Sequence, residues 1–331
     1  MARQDNRLHS EDFRVISGEA ENDRRYARSR RRWDYYTRTL VEAASPLHVD
    51  IELTNKCDLK CPFCERYAMK RKKGFMSLEL FQQIIDECHL IGVDSVKLNL
   101  WGESLLHPMI ADMISYAKKN SSLILQFNTN ANQLNASLSR RFVKDGLDRL
   151  TISLDSMNAD VYRRLRVGGQ LQRVMNNIES LMQIRESCGA IAPHVTIQMI
   201  RTKENNDEVC SFTEYWEKRV DRVAVTNICT TLDQNILHYS QREEKKVGRK
   251  PCEQLWQRLS VLWDGTVTVC CRDYDGVLQI GSLKENALAD LWKCDAIRKL
   301  RASHMGCNFG GLVCDKCSKS YVFSSREDPD D

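Results

Sequence analysis

The sequence predicts an α/β protein, a partial (β/α)6 barrel followed by a small C-terminal β-hairpin-plus-helix domain rich in cysteine. Three observations carry this prediction. Between residues 47 and about 231, short β-branched runs alternate with longer stretches of helical periodicity, the mark of βαβ units and a parallel sheet. After Asn227 the alternation stops, and Asp264-Gly265 stands between two further strand-like runs as a two-residue hairpin signal. Finally, 14 cysteines include two groups: Cys57, Cys61 and Cys64 in front, and Cys252, Cys270, Cys271, Cys307, Cys314 and Cys317 in the last quarter. The expected divisions are an N-terminal extension over 1–45, the barrel over 46–233 and the cysteine-rich domain over 234–331.

The extension is charged. Its basic and acidic residues nearly cancel, yet Arg24–Arg32 packs six arginines into nine positions and is followed by Trp33, Tyr35 and Tyr36. Such a segment reads either as an arm for an anionic partner or as a solvated helix whose Trp33 and Tyr36 pack on the main domain. The expected barrel strands are His48–Leu53, Ser95–Leu100, Ile124–Asn128, Arg149–Leu154, His194–Ile200 and Arg222–Asn227. Helices are expected over Leu78–Leu90, Met109–Lys118, Leu138–Lys144 and Leu171–Arg185. Ser77 before LELF, and Asn158 before a turn containing Asp160, are N-cap signals. Six units are too few for a closed eight-stranded barrel, so the sheet should stay open. Downstream, Gln234–Lys250 reads as a linker or exposed helix, Leu259–Leu262 and Thr266–Cys270 as a hairpin, and Ala287–Ala302 as one helix. So small a module buries little apolar surface and needs metal to hold it.

Composition narrows the class. With 331 residues, 42% hydrophobic and 28% charged, the chain has globular proportions. No apolar run approaches the roughly 20 residues of a membrane span, and no secretory signal opens the chain. A net charge of +4 is too mild to argue for nucleic acid. The expected home is the reducing cytoplasm, where clustered thiols mean metal or redox chemistry rather than disulfides. The scattered Cys88, Cys188, Cys210, Cys229 and Cys294 read as small hydrophobes.

Cys57, Cys61 and Cys64 have the spacing CxxxCxxC directly after the first strand, where parallel barrels carry their reactive groups. Three thiolates can hold three corners of a [4Fe–4S] cluster and leave one iron open. A structural zinc site would need a fourth ligand nearby, and no further Cys or His follows closely. With Phe63 as the aromatic before the third cysteine, the loop resembles that of the radical S-adenosylmethionine (SAM) superfamily. Further motifs follow in the family's order. Trp101-Gly102-Glu103 resembles the GGE turn that meets the SAM amino group, with Trp101 in place of the first glycine. Asn128-Thr129-Asn130 resembles a TNG turn, and Ser153-Leu154-Asp155 a segment whose serine meets the SAM ribose or carboxylate. Tyr162 to Gly168 resembles a pattern whose arginine, here Arg166, reaches the SAM carboxylate.

Cys252, Cys270, Cys314 and Cys317, together with Val269–Gly276, Gly281-Ser-Leu and Leu291-Trp292, resemble the Twitch/SPASM extension of these enzymes. The resemblance implies at least one auxiliary [4Fe–4S] cluster on those four cysteines, with Cys271 and Cys307 unassigned; a zinc knuckle is the other reading of the four. The implied activity is reductive cleavage of SAM followed by hydrogen abstraction from a substrate, with a reducing donor such as flavodoxin or ferredoxin. The first expectation is an oxidoreductase that dehydrogenates an alcohol of a sugar or aminocyclitol in natural-product biosynthesis. The alternative is a maturase acting on a ribosomal peptide, with Arg24–Arg32 as a docking arm. A binding module without turnover is the reading outside catalysis. Asp273 is the candidate base, weighed against a turn cap; His107, Arg201 and Asp275 are further possibilities.

Overall fold

Six strands run parallel in chain order, each joined to the next by helix: β2 (His48–Ile51), β3 (Ser95–Lys97), β4 (Ile124–Thr129), β5 (Arg149–Ser153), β6 (His194–Arg201) and β7 (Arg222–Asn227). The structure, a computed structural model, describes residues 13–15, 24–228, 239, 246–317 and 320–323. Cys229 and most of the expected 234–250 linker lie outside these described residues. Among the described residues, no helix is long and apolar enough to cross a membrane.

The strands have two different faces. Val49, Ile51, Val96, Leu125, Phe127, Leu150, Ile152, Val195 and Ile197 point one way and join the helix residues Phe81, Ile84, Ile114, Phe142 and Ile178 in one core. The alternate positions are Asp50, Lys97, Gln126, Asn128, Thr151, Ser153, Thr196 and Gln198, nearly all polar. Strands of a filled parallel barrel read as continuous apolar runs. A period-2 pattern with a polar inner row instead defines a chamber that offers hydrogen bonds.

Helix α1 (Arg24–Thr39) closes the floor of that chamber. Arg25 pairs with Asp148 at 2.7 Å and Arg32 with Asp94 at 2.6 Å, each aspartate standing just before a strand. Trp33 meets the His48 ring edge-on at 6.1 Å and takes the Arg258 guanidinium at 5.0 Å, while Arg149 lies 3.9 Å over Tyr26. These are the first residues of strands, so α1 lies across the N-terminal ends of the sheet. Trp33 thus packs on the barrel as the helix reading expects, whereas Tyr36 meets Tyr35 edge-on within the helix.

The hairpin expectation is met by β9 (Arg258–Val261) and β10 (Thr266–Thr268), with Gly265 at φ +94, a conformation glycine adopts freely. Two features differ from expectation. First, β9 pairs in parallel with β2 over four residues, so the barrel sheet runs on through β9 and β10 to an unforeseen β11 (Gln279–Ser282). The other edge carries β1 (Phe13–Val15), antiparallel to β7. Second, the single helix expected over Ala287–Ala302 is two helices, Leu288–Trp292 and Asp295–Met305, with Cys294 extended between them. The break lets Trp292 sink fully into the core, where its indole N–H donates to the Ala43 carbonyl at 2.8 Å. Trp292→Ala is therefore expected to lower unfolding free energy by about 3–5 kcal/mol, read as a fall in denaturant midpoint. A short antiparallel pair, β8 (Lys246–Arg249) with β12 (Tyr321–Phe323), completes the C-terminal region.

Candidate functional site

The loop carrying Cys57, Cys61 and Cys64 rises from the C-terminal end of β2 and is held on three sides. On the first side, the Glu103 N–H donates to the Lys56 carbonyl at 2.8 Å, bringing Gly102 hard against the chain. A Cβ there would lie 2.0 Å from the Thr54 carbonyl oxygen and 2.8 Å from that of Lys56. Only glycine fits. On the second, Asp58 accepts from Asn130 (2.8 Å), Asn132 (2.9 Å) and Gln133 (3.1 Å) of the turn after β4. On the third, the Lys60 N–H donates to the Val167 carbonyl at 2.7 Å. Each support comes from one of the short motifs read in the sequence, which explains why they sit behind successive strands.

Glu103 is buried, and its carboxylate accepts from the Thr129 hydroxyl and from the Asn130 and Leu105 N–H groups. Burial pushes it up to about 7 against the pull of these donors. It braces the turns after β3 and β4 to one another. Arg166, buried, gives its Nε–H to Asp155 at 2.6 Å, sits over Phe63 at 5.7 Å and points a guanidinium nitrogen at the Cys61 sulfur, 3.8 Å away. Asp155 is itself fixed, accepting from the Ile200 N–H at 2.8 Å. Ser153 ends β5 half-buried, on the chamber side. Phe63, Gly102, Glu103, Ser153 and Arg166 thus surround the cysteine loop or the chamber beneath it.

The thiols suit an iron–sulfur cluster. The Leu59 N–H is aimed at the Cys57 sulfur at 3.5 Å, as Arg166 is at Cys61, so two donors already face sulfur. Burial pushes Cys57 up to about 12 and raises Cys61, so both stay protonated until a metal displaces the proton.

The second set surrounds a cavity of about 110 Å³ lined by Cys252, Cys270, Cys314 and Cys317. Burial pushes Cys252 up to about 12 and Cys314 to about 11, and raises Cys270 well above the usual range. Among the described residues, no three His, Cys, Asp or Glu side chains converge as they would around a single ion. Four cysteines lining one cavity offer the thiolate set that an iron–sulfur cluster takes. The Cys270 sulfur accepts the Arg272 N–H at 3.3 Å, whereas Cys271 offers its S–H to the Gln254 carbonyl oxygen at 3.0 Å and does not line the cavity. Cys307 is exposed and faces the Arg249 carbonyl. Neither is among the residues lining the cavity.

The proposed acid–base groups fare differently. Asp273 borders the cavity, but its oxygens accept from Val277 N–H, Leu278 N–H and the Thr268 hydroxyl, at 2.8, 2.8 and 2.6 Å. That is the bonding of a turn cap, the alternative weighed for it. His107 bridges Met76 and Met109, and Asp275 accepts from the Lys70 and Arg71 N–H groups. Arg201, at the end of β6, gives its Nε–H to Asn227 at 3.2 Å.

For several residues the positioning role went unread. Asp58 and Asp155 hold the loop and Arg166 in place. Glu52 receives Arg71 bidentately at 2.7 and 2.5 Å, and Arg71 also donates to the Tyr274 carbonyl. Arg272 pairs with Glu65 at 2.5 Å, and Trp101 meets Tyr274 edge-on at 5.7 Å. These contacts clamp the barrel to the C-terminal domain; a carboxylate within the cysteine loop was the one local hint.

A radical SAM superfamily profile matches residues 51–215, and a profile described as an iron–sulfur cluster-binding domain, SPASM, matches 252–318. The tungsten-containing aldehyde ferredoxin oxidoreductase cofactor-modifying protein of Pyrococcus furiosus is 21% identical over 287 residues, covering 73% of this chain and 79% of its own. A GTP 3',8-cyclase of Clostridium botulinum is 27% identical over 175 residues, 52% of this chain, which thus spans about half (53%) of that relative. Among solved structures, Streptococcus suis SuiB bound to precursor peptide SuiA superposes with a TM-score of 0.62 at 16% identity, over 92% of this chain and 76% of SuiB. BtrN in complex with AdoMet and 2-DOIA gives 0.53 at 12% identity, over 85% of this chain and all (100%) of BtrN. At such identities the structural likeness is one of fold. The profile matches and the two sets of thiols together make the chain a radical SAM superfamily enzyme with a C-terminal SPASM iron–sulfur domain.

Proposed function

We propose that this enzyme is an oxidoreductase that dehydrogenates an alcohol carbon of a small polyhydroxylated substrate, a sugar or aminocyclitol, using Cys252, Cys270, Cys314 and Cys317 to hold the auxiliary cluster. One observation carries the reading. Below the cysteine loop, beside the Ser153 that the SAM motif claims, the inward side chains of Asn128 and Thr151 are polar and make no hydrogen bond among the described residues. Half-buried groups of this kind call for a partner rich in hydroxyl or amino groups.

When bound, SAM and the iron–sulfur clusters supply the hydrogen-abstracting group and the electron path, with flavodoxin or ferredoxin as the class of donor. The chain's own residues do the rest. Cys57, Cys61 and Cys64 would hold the first cluster, with one corner left for SAM. Arg166, locked by Asp155, holds positive charge beside Cys61, where an anionic carboxylate is stabilised. The chamber wall orients the substrate, and α1 excludes water from below. Peptide maturation, the alternative, drew on Arg24–Arg32 as a docking arm; in the fold Arg25 and Arg32 face Asp148 and Asp94 instead.

Anaerobic turnovers with SAM, dithionite and cyclitols or sugars deuterated at their carbinol carbons test the assignment. Deuterium should appear in 5′-deoxyadenosine, with one ketone formed per 5′-deoxyadenosine. If label is taken only from peptides, or SAM is cleaved with no ketone from any polyol, the assignment fails.

A further inference from the structure

Two buried hydrogen-bond donors face the cavity of the second cysteine set and have no partner among the described residues. His304, fully buried, lies in the last turn of the helix Asp295–Met305 and borders the cavity. Its ring is fixed in place. Nδ1 accepts the Cys252 N–H at 3.0 Å, and Phe309 packs edge-on at 4.7 Å. A neutral imidazole that accepts at Nδ1 carries its proton on Nε2. That Nε2 is buried and unpaired. Ser320, 1% exposed and three residues beyond Cys317, borders the same cavity with its hydroxyl likewise buried and unpaired. Much of the remaining lining is apolar or sulfur, including Leu255, Val269, Leu278 and Leu300. Buried donors are rarely left unsatisfied, and two on one cavity imply an acceptor inside it.

We propose that His304 and Ser320 donate hydrogen bonds to sulfur atoms of the auxiliary cluster and so raise its reduction potential. This rests on Cys252, Cys270, Cys314 and Cys317 being the ligands of that cluster. Hydrogen bonds to sulfur strengthen as the cluster gains negative charge, so they favour its reduced form. Both are positioning residues: neither touches the substrate, and each makes the cluster a better acceptor for the substrate's electron.

The test uses the full chain in a Cys57→Ala/Cys61→Ala/Cys64→Ala background, where only the auxiliary cluster remains. Iron and sulfide are counted, the potential is read by EPR-monitored titration, and exchangeable protons near the reduced cluster are read by pulsed EPR in H2O and D2O. His304→Phe and Ser320→Ala should each keep the iron, lose an exchangeable-proton coupling and shift the potential downward. A roughly tenfold loss in the reduction equilibrium corresponds to about 59 mV for one electron. Full iron content with unchanged potential and couplings in both variants overturns the proposal. Iron lost from His304→Gln in a folded protein makes His304 a ligand, and overturns it for that residue. Should His304→Phe not fold, Ser320→Ala and the proton couplings still decide. A background protein that binds no iron contradicts the four-cysteine assignment itself, a separate and recognisable failure.

Discussion

Cys57→Ala/Cys61→Ala/Cys64→Ala is expected to reduce SAM cleavage to background while leaving the iron bound at Cys252, Cys270, Cys314 and Cys317 in place. The loop's three sulfurs are the donors proposed for the first cluster, and Leu59 N–H and Arg166 are already aimed at two of them. The second set lies across the β2–β9 junction in a cavity built by other elements, so its ligation should not depend on the first. Anaerobic iron and sulfide analysis, with 5′-deoxyadenosine followed by chromatography, reads both effects. Retained SAM cleavage, or loss of all iron, would contradict this division of labour.

Gly102→Ala is the second large effect. The added methyl would stand 2.0 Å from the Thr54 carbonyl oxygen, a backbone atom that cannot rotate away. Either the turn after β3 or the segment entering the cysteine loop must move. A shift of about 1 Å at a reacting centre costs on the order of a hundredfold in rate. SAM cleavage should fall by about that factor while the protein stays folded, because Gly102 lies outside the apolar core. A variant with wild-type turnover would show that the turn has slack the packing does not suggest.

The barrel was legible because each strand alternates polar and apolar side chains while each helix repeats about every 3.6 residues. All six strands and the helix Leu78–Leu90 stand close to where that pattern puts them. What failed to show was long-range. The pairing of His48–Ile51 with Arg258–Val261 joins segments some two hundred residues apart, and no local signal announces it. The break before Asp295 was hidden because helical periodicity runs through it; the chain turns there to bury Trp292. Within the site, spacing picked out the cysteine sets but could not separate Cys270 from its neighbour Cys271. The fold separates them by place: Cys270 lines the cavity and Cys271 does not. Asp273 drew attention as a carboxylate beside cysteines, but the N–H groups of Val277 and Leu278 that engage it become visible only once the turn is folded.

The uninterrupted sheet from β2 into β9, reinforced by Arg71 on the Tyr274 carbonyl and Arg272 on Glu65, has a mechanical consequence. The ends of β2 and β9 that lead toward the two thiol sets are held in one register by main-chain pairing, so the two sets should shift together rather than about a hinge.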